Sequence, residues 1–523
     1  MKILVKLYDV TGRDGTQDAE FKLPGKRKFK LAVRLDAMGF HYFEGGWPGA
    51  NAESDEFFTL AARHTFSRIK VAAFGSTGGK NLKVESDPQV QALLRAKTPI
   101  ITIYGKSSLW QVQNVLRCSP EENLRMITDT VAYLRAKGRT VFYDAEHGFD
   151  GFKYDAEYAR ATWCAAREAG AEAVILCDTN GGTLPREIAK VTREAVQLLP
   201  GCEVGIHPHN DCGIATANAL AAVEAGARQV QGTINGYGER GTNLSLLEAA
   251  ANLQLKMGYH CLPARSLRRF TELSQFVDEL GDMQSNPRRP FFGDLVFSHN
   301  GGRHAHAVGL NANSYQHIDP EHVGNRSTII VSGQSGKASI ALMAKNLGLR
   351  IRKEKFGLVL DAVKRQEALG YSYREAGASL FLLFRQAVSK RTLPFTVSKY
   401  NVVLAGDGSL AATGTSDECT ATVKLRMGKK EFHAVADGDG PVNALDSALR
   451  KALARSFPKL KQVQLVDYQV RIIKDRLGSA AKTRVLIGFR LSHRRWTTIG
   501  VGPNVIKASL KALIDGLEYA LLS

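Results

Sequence analysis

Two hydrophobic patterns alternate along the first 260 residues of the chain. Short apolar runs rich in β-branched residues predict strands, and the stretches between them have apolar positions at helical spacing. Eight strand-then-helix units within roughly 250 residues are typical of a closed (β/α)8 barrel, a TIM barrel in the α/β class. The eight apolar runs begin near Ile3, Phe40, Ile69, Pro99, Thr140, Ala173, Glu203 and Gln229.

Helix starts support this interpretation. Amphipathic patterns cover Glu121–Lys137 and Ala156–Ala169. Ser119 and Pro120 precede the first of them, and a capping serine followed by proline at the first helical position favours a helix start there.

The pattern changes twice after the barrel. It becomes mainly helical and then, from about Phe395, contains an internal repeat in which Gly438-Asp-Gly-Pro441 recurs as Gly500-Val-Gly-Pro503. Each copy follows alternating strands and precedes an amphipathic helix, which predicts two strand–strand–helix units in a small α+β domain. We therefore expect a barrel over 1–265, a helical linker over 266–394 and a dimerisation or effector-binding domain over 395–523.

Composition narrows the class of protein. Hydrophobic residues make up 44% and charged residues 23% of 523, which is ordinary for a globular protein. No apolar run approaches the roughly 18–20 residues that span a bilayer. The N-terminus has no leader pattern, and the seven cysteines form no Cys-x-x-Cys pair. A cytoplasmic, reducing location is expected.

The net charge of +19 is unusual. Such a charge fits nucleic acid, anionic membranes or anionic substrates. Because the basic residues are spread along the whole chain, nucleic-acid binding is disfavoured as the main role, and a basic surface that suits a phosphate-bearing substrate is the simpler interpretation.

Polar residues end all eight predicted strands, at the rim where barrel enzymes build their active sites. His207 and His209 are two residues apart on one strand and so face the same side. Asp14 and Asn243, at the ends of the first and last strands, offer oxygen ligands. Together these four residues predict a site for a divalent cation (Mg, Mn, Zn or Co), although two rim histidines without a metal are an open alternative.

Anion-binding and acid–base groups accompany this predicted metal site. Arg13 is suited to clamp an α-keto acid and to stabilise an oxyanion, unless it only caps a turn. Glu44 and Glu146 are each a candidate general base or an orienting group, and Glu44 is also expected to bind substrate. Thr179 offers a hydroxyl to a substrate carboxylate.

Several motifs in this order resemble the citramalate synthases of the isopropylmalate/homocitrate synthase superfamily, in the long form with a C-terminal regulatory domain of LeuA type. The likeness runs along essentially the whole chain. The matching segments are LYDVTGRDGTQ (7–17), YFEGGWPG (42–49), YDAEHGFDGFK (143–153), CDTNGG (177–182), GIHPHNDCG (205–213), QGTINGYGERGTN (231–243) and YQHIDPEHVGN (315–325).

The resemblance implies a Claisen-type condensation of acetyl-CoA with pyruvate to citramalate, an entry step to isoleucine. It implies that Arg13 polarises the ketone, that Thr179 holds the carboxylate, and that the base is either Glu146 or His304 with Tyr315. A homodimer and an amino-acid effector, isoleucine, are further implications.

Three alternatives stay open at this point. The nearest is a 2-isopropylmalate synthase acting on 2-oxoisovalerate, which needs a larger keto-acid pocket. The others are an aldolase-type lyase and a catalytically weakened, effector-binding relative. The chain also departs from the family pattern, with Gly12 in place of the usual leucine and Gly241-Thr242 in place of Cys-Gly.

Overall fold

A computed structural model describes residues 2–299, 304, 307–308, 310–389, 394–405, 418–473, 481–492 and 494–522. The chain divides into two compact units. One unit extends to Phe297 and includes Ile318–Arg326, and the other contains Ser298–His317 and the chain from Ser327 onward. In the described part of the chain, no helix combines the length and apolar character needed to cross a membrane.

A closed barrel of eight parallel strands forms the first unit. The strand β1 pairs with both β2 and β8, which closes the barrel. The predicted TIM barrel is therefore confirmed, and each strand begins within three residues of the predicted position. The strands are β1 (Lys6–Asp9), β2 (Tyr42–Glu44), β3 (Lys70–Ser76), β4 (Ile100–Lys106), β5 (Thr140–Glu146), β6 (Ala173–Asp178), β7 (Glu203–Pro208) and β8 (Gln229–Gly232).

Helices separate the strands and continue beyond them. Ser119 caps the helix that begins at Pro120, because its side chain accepts a hydrogen bond from the Glu122 backbone N–H. The helices of this unit are Gly25–Met38, Ala52–Ala61, Pro88–Arg95, Leu109–Gln111, Pro120–Ala136, Gly148–Tyr154, Ala156–Glu168, Pro185–Leu198, Ala215–Glu224, Leu246–Leu255, Ala264–Leu267 and Phe270–Leu280.

Strand register brings polar residues of neighbouring strands together at one rim. In the pairing of β4 with β5, Tyr104 lies opposite Asp144 and Lys106 lies opposite Glu146. All eight strands run in one direction, so their C-terminal ends share this rim. The register therefore decides which polar side chains become neighbours.

The helical region after the barrel is also confirmed. A short parallel pair of strands, β9 (Ser298–His299) and β10 (Thr328–Ile329), stands within it and was not predicted. The apolar core of the helical region includes Ile340, Val359 and Phe384, and it continues into the C-terminal region through Leu486 and Ile499. The helices of this region in the second unit are Lys337–Asn346, Phe356–Ala368 and Gly377–Val388.

The C-terminal region contains two similar α+β units, but each has three strands and not the two predicted. The hydrophobic pattern does not predict the first strand of either unit. In β14, for example, the residues between Gln464 and Ile473 are mostly exposed on both faces, so no buried alternation marks a strand. The elements are β11 (Thr396–Ala405), β12 (Glu418–Met427), β13 (Lys430–Gly438), helix Pro441–Leu453, β14 (Gln464–Ile473), β15 (Lys482–Leu491), β16 (Arg494–Gly502) and helix Val505–Leu522.

The repeated glycine motif has a packing reason. A Cβ added at Gly438 would lie 2.5 Å from the backbone nitrogen of Ala444, and one added at Gly500 would lie 1.9 Å from the carbonyl oxygen of Ala508. In each of the two α+β units, the helix that follows the third strand packs directly against the glycine of that unit, Gly438 or Gly500. The repeat therefore marks two equivalent helix–sheet contacts.

Candidate active site

Three buried side chains meet at the C-terminal end of the barrel. Asp14 follows β1, His207 lies in β7 and His209 follows β7. The Nε2 atoms of His207 and His209 lie 3.0 and 3.9 Å from Asp14 Oδ2. One ligand atom from each residue lies within 4.8 Å of the other two. The structure thus brings these three predicted metal ligands together, each with a ligand atom directed at the others.

The donor set of this cluster fits a divalent cation. Two imidazoles and a carboxylate are ligands of Zn, Co and Mn. Among the described residues, the buried Nδ1 atom of His209 has no hydrogen-bond partner. Burial lowers the pKa of His209 to about 4, so its ring is neutral and able to ligate. Burial opposes ionisation of Asp14, but the charges of Arg13 and His207 outweigh it and hold the pKa well below its usual value.

The fourth predicted ligand, Asn243, is adjacent but turned the other way. Its Nδ2 atom donates to Asp14 Oδ2 at 3.1 Å and lies 3.4 Å from His207 Nε2. Its amide oxygen instead accepts from the Leu244 backbone N–H at 2.9 Å. To ligate through oxygen, the amide would have to rotate and leave the Leu244 N–H without this acceptor. Its role as a ligand stays a prediction.

Arg13 is fixed beside the cluster from three sides. Its Nε donates to Glu44 Oε1 at 2.6 Å, and its Nη1 lies 3.3 Å from Asp14 Oδ2. Its guanidinium carbon lies 3.8 Å from the centre of the Phe74 ring. Burial opposes the charge, but Glu44 and Asp14 outweigh it and raise the pKa of Arg13. The site therefore has a permanent, oriented cation.

Glu44 lies beneath Arg13, and each of its carboxylate oxygens accepts a hydrogen bond from a neighbouring side chain. Its exposed fraction is 0%. Oε1 accepts from Arg13, and Oε2 accepts from the Tyr8 hydroxyl at 2.8 Å. This geometry favours an orienting role, and direct contact of Glu44 with substrate stays a prediction.

Glu146 and Thr179 face the same cavity. The Lys106 ammonium forms an ion pair with Glu146 Oε2 at 2.5 Å. Thr179 Oγ1 accepts from the His147 backbone N–H at 2.8 Å. This contact uses an acceptor site of the hydroxyl and leaves its proton available to a substrate carboxylate.

An aromatic wall bounds the cavity, which has a volume of about 230 Å³. The rings of Phe74 and Tyr104 stack with centres 5.5 Å apart, and Trp47 meets both edge-on at 5.9 Å. These contacts leave the three rings little freedom to move aside. The cavity is lined by Arg13, Asp14, Gln17, Trp47, Phe74, Tyr104, Asp144, Glu146, Cys177, Thr179, His207, His209, Glu239 and Arg240.

His304 and Tyr315, the alternative candidate base, belong to the second unit. Their rings stack with centres 4.1 Å apart, and both residues are exposed. The structure thus pairs them with each other, and their catalytic role stays a prediction.

Family models match three successive parts of the chain. The HMGL-like model matches residues 4–277. The homocitrate synthase post-HMGL domain-like model matches 291–369, and the LeuA allosteric (dimerisation) domain model matches 376–521. The barrel, the helical region and the α+β region therefore each have a counterpart among known domains.

Whole-length relatives decide the family. The (R)-citramalate synthase of Aquifex aeolicus is 44% identical over 99% of this chain and 98% of its own length. The (R)-citramalate synthase of Synechocystis sp. is 42% identical over 98% of this chain and 96% of its own length. The chain belongs to the citramalate synthase family. The 2-isopropylmalate synthase of Methanocaldococcus jannaschii is more distant, at 29% identity over 99% of this chain and 95% of its own length.

Two departures from the pattern that the resemblance implies, at Gly12 and at Gly241-Thr242, have structural consequences. Gly12 contacts β2 closely, because an added Cβ would lie 2.6 Å from the Glu44 carbonyl oxygen. Thr242 has a left-handed backbone with φ of 85°, which is unfavourable for a β-branched residue. It immediately precedes Asn243, the residue whose amide is turned away from ligation.

Several residues at this citramalate synthase site were not singled out from the sequence. Phe74, Tyr104 and Lys106 lie at the polar ends of predicted strands. The sequence therefore places them at the rim but does not identify the residues that they contact. Gln231 begins the family-matching segment QGTINGYGERGTN (231–243), but the sequence gives it no role beyond being a polar residue within a strand. Its contact with His207 depends on how β7 and β8 lie side by side.

Proposed function

We propose that this protein condenses acetyl-CoA with pyruvate to give citramalate and CoA, a step of isoleucine biosynthesis. The observation that carries the proposal is one small cavity in which a buried arginine and an Asp–His–His cluster face an aromatic wall. The high identity to citramalate synthases over the whole chain supports the same reaction.

Asp14, His207 and His209 would hold a divalent cation, with Asn243 as a fourth ligand if its amide turns. When bound, the cation supplies Lewis-acid polarisation of the keto acid. Because two of the three donors are imidazole nitrogens, Zn, Co and Mn suit the site better than Mg.

The protein's own groups orient and activate the substrates. The Arg13 guanidinium faces the position where negative charge develops on the keto oxygen. The Thr179 hydroxyl donates to the keto-acid carboxylate. Glu146, or His304 with Tyr315, removes a methyl proton from acetyl-CoA. The resulting enolate carbon attacks the keto carbon, and water then cleaves the thioester to release CoA.

The direct test is release of free thiol from acetyl-CoA with pyruvate, 2-oxobutanoate or 2-oxoisovalerate, each with and without a chelator. We expect the fastest release with pyruvate, its loss with chelator and its return when Mn, Co or Zn is added back. Preference for 2-oxoisovalerate would indicate a 2-isopropylmalate synthase. No release from folded, metal-loaded protein would contradict both and favour an effector-binding relative.

The aromatic wall gives a second expectation. Tyr104→Ala removes a ring that lies on Phe74 and Trp47, so a branched keto-acid side chain gains space. One extra or missing methylene group in a pocket changes kcat/KM by roughly 10–200-fold. We expect the ratio of kcat/KM for 2-oxoisovalerate to that for pyruvate to rise at least about 10-fold.

Tyr104→Phe is the matched control, because it keeps the ring and removes only the hydroxyl. The ratio should stay near that of the unchanged protein. An unchanged ratio in Tyr104→Ala would mean that this wall does not contact the keto-acid side chain.

Assembly and regulation are also proposals. The LeuA allosteric (dimerisation) domain match at 376–521 supports a homodimer formed through the C-terminal region, with an amino-acid effector there. Isoleucine as that effector, a cytoplasmic location and the division of the chain at residues 265 and 394 stay predictions from the sequence.

A further inference from the structure

Gln231 lies in β8 inside the barrel, fully buried, and does not line the cavity. Its amide oxygen lies 2.8 Å from Nδ1 of His207. Its amide nitrogen donates to Asp144 Oδ1 at 3.2 Å and makes a longer contact of 3.5 Å with Gln229 Oε1. Gln231 thus connects the Asp14–His207–His209 cluster to two polar side chains, Asp144 and Gln229, inside the barrel.

Only one orientation of this amide satisfies its neighbours. Asp144 Oδ1 and Gln229 Oε1 are both acceptors, so the NH2 group must face them. The oxygen must then face His207, and an amide oxygen only accepts. His207 Nδ1 is therefore the donor in this contact and carries a proton.

The protonated Nδ1 decides which nitrogen of His207 is available to a cation. With Nδ1 occupied by Gln231, Nε2 is directed at Asp14 Oδ2, 3.0 Å away. Metal-bound histidines characteristically donate their second ring nitrogen to an acceptor that fixes the ring, and losing that acceptor costs roughly 10–100-fold in metal affinity.

We propose that Gln231 is a positioning residue of the Asp14–His207–His209 cluster. Its amide oxygen accepts from the protonated Nδ1 of His207 and so leaves Nε2 free to ligate a cation. This inference rests on the proposed function, because it presumes that the Asp14–His207–His209 cluster binds a cation. In the same geometry, Asp144 accepts a hydrogen bond from the Gln231 NH2 group and so fixes which way the amide faces.

Metal affinity of the full-length protein tests this proposal. Protein freed of metal is titrated with Co²⁺ and Zn²⁺ by calorimetry, and the visible Co²⁺ spectrum reports the ligand environment. Q231M keeps the side-chain length but removes the acceptor. We expect its Kd for both ions to rise roughly 10–100-fold, with an altered Co²⁺ spectrum.

Two further variants separate positioning from packing. Q231E restores an acceptor for Nδ1 but places a second carboxylate oxygen beside Asp144 Oδ1, so its Kd should lie between those of Q231M and the unchanged protein. Q229M changes an equally buried glutamine of the same strand but leaves the Asp144 contact, so its Kd should also stay within about 3-fold. If Q231M does not fold, Q231N, whose amide is one methylene too short to reach Nδ1, replaces it with the same expected loss.

The outcomes distinguish this inference from the proposed function. Tight Co²⁺ binding by both the unchanged protein and the folded Q231M variant would overturn the role of Gln231 and leave the proposed function intact. Absence of binding in the unchanged protein would overturn the metal site itself. Equal losses in Q231M and Q229M would point to packing and likewise overturn positioning.

Discussion

Replacing Arg13 with lysine should lower the rate of CoA release with pyruvate at least about 100-fold. The guanidinium meets Glu44, Asp14 and the Phe74 ring at the same time. A lysine ammonium is a compact charge without a planar fork, so it cannot keep all three contacts. Losing one preorganised oxyanion donor costs roughly 100–1,000-fold in other enzymes.

Steady-state thiol release at saturating pyruvate measures this effect, with metal content determined on the same sample. Arg27→Lys is a suitable control, because Arg27 forms an exposed ion pair with Asp282 and such pairs contribute little. If Arg13→Lys retained more than a tenth of the original rate with its metal bound, Arg13 would not be the oxyanion clamp.

The second large effect concerns Gly12, which stands where the resemblance to the family implies leucine. We expect Gly12→Leu to lower the free energy of unfolding by about 3 kcal/mol, the upper range for overpacking a core. A side chain there would begin 2.6 Å from the Glu44 carbonyl oxygen and 2.8 Å from Phe43 Cζ. The carbonyl belongs to β2, so it moves only if the strand moves.

Because Arg13 is the next residue and pairs with Glu44, the same substitution should also reduce CoA release. Thermal or denaturant unfolding measures the stability change. Gly182→Leu is the matched control in the same unit, since nothing lies within 4 Å of a Cβ added there. A Gly12→Leu variant as stable as the control would mean that β2 adapts to the larger residue.

The hydrophobic pattern of short segments was enough to predict the barrel from the sequence. Each strand is a short apolar run between amphipathic helices, and its polar end is a few residues long. Asp14, Arg13, Thr179 and His207 could therefore be placed at one rim without knowing any distance. The first strand of each C-terminal unit was missed for the opposite reason. For example, β14 is largely exposed and has no buried face to set a pattern.

The sequence by itself determined the barrel, the rim that carries the chemistry and most of the candidate ligands, because strand direction and side-chain alternation follow from local pattern. Only the tertiary structure decided that Glu44 is sealed beneath Arg13, that Lys106 pairs with Glu146, and that Gln231 meets His207. These contacts join residues on different strands. Their partners are set by strand register and barrel closure, which no local pattern encodes.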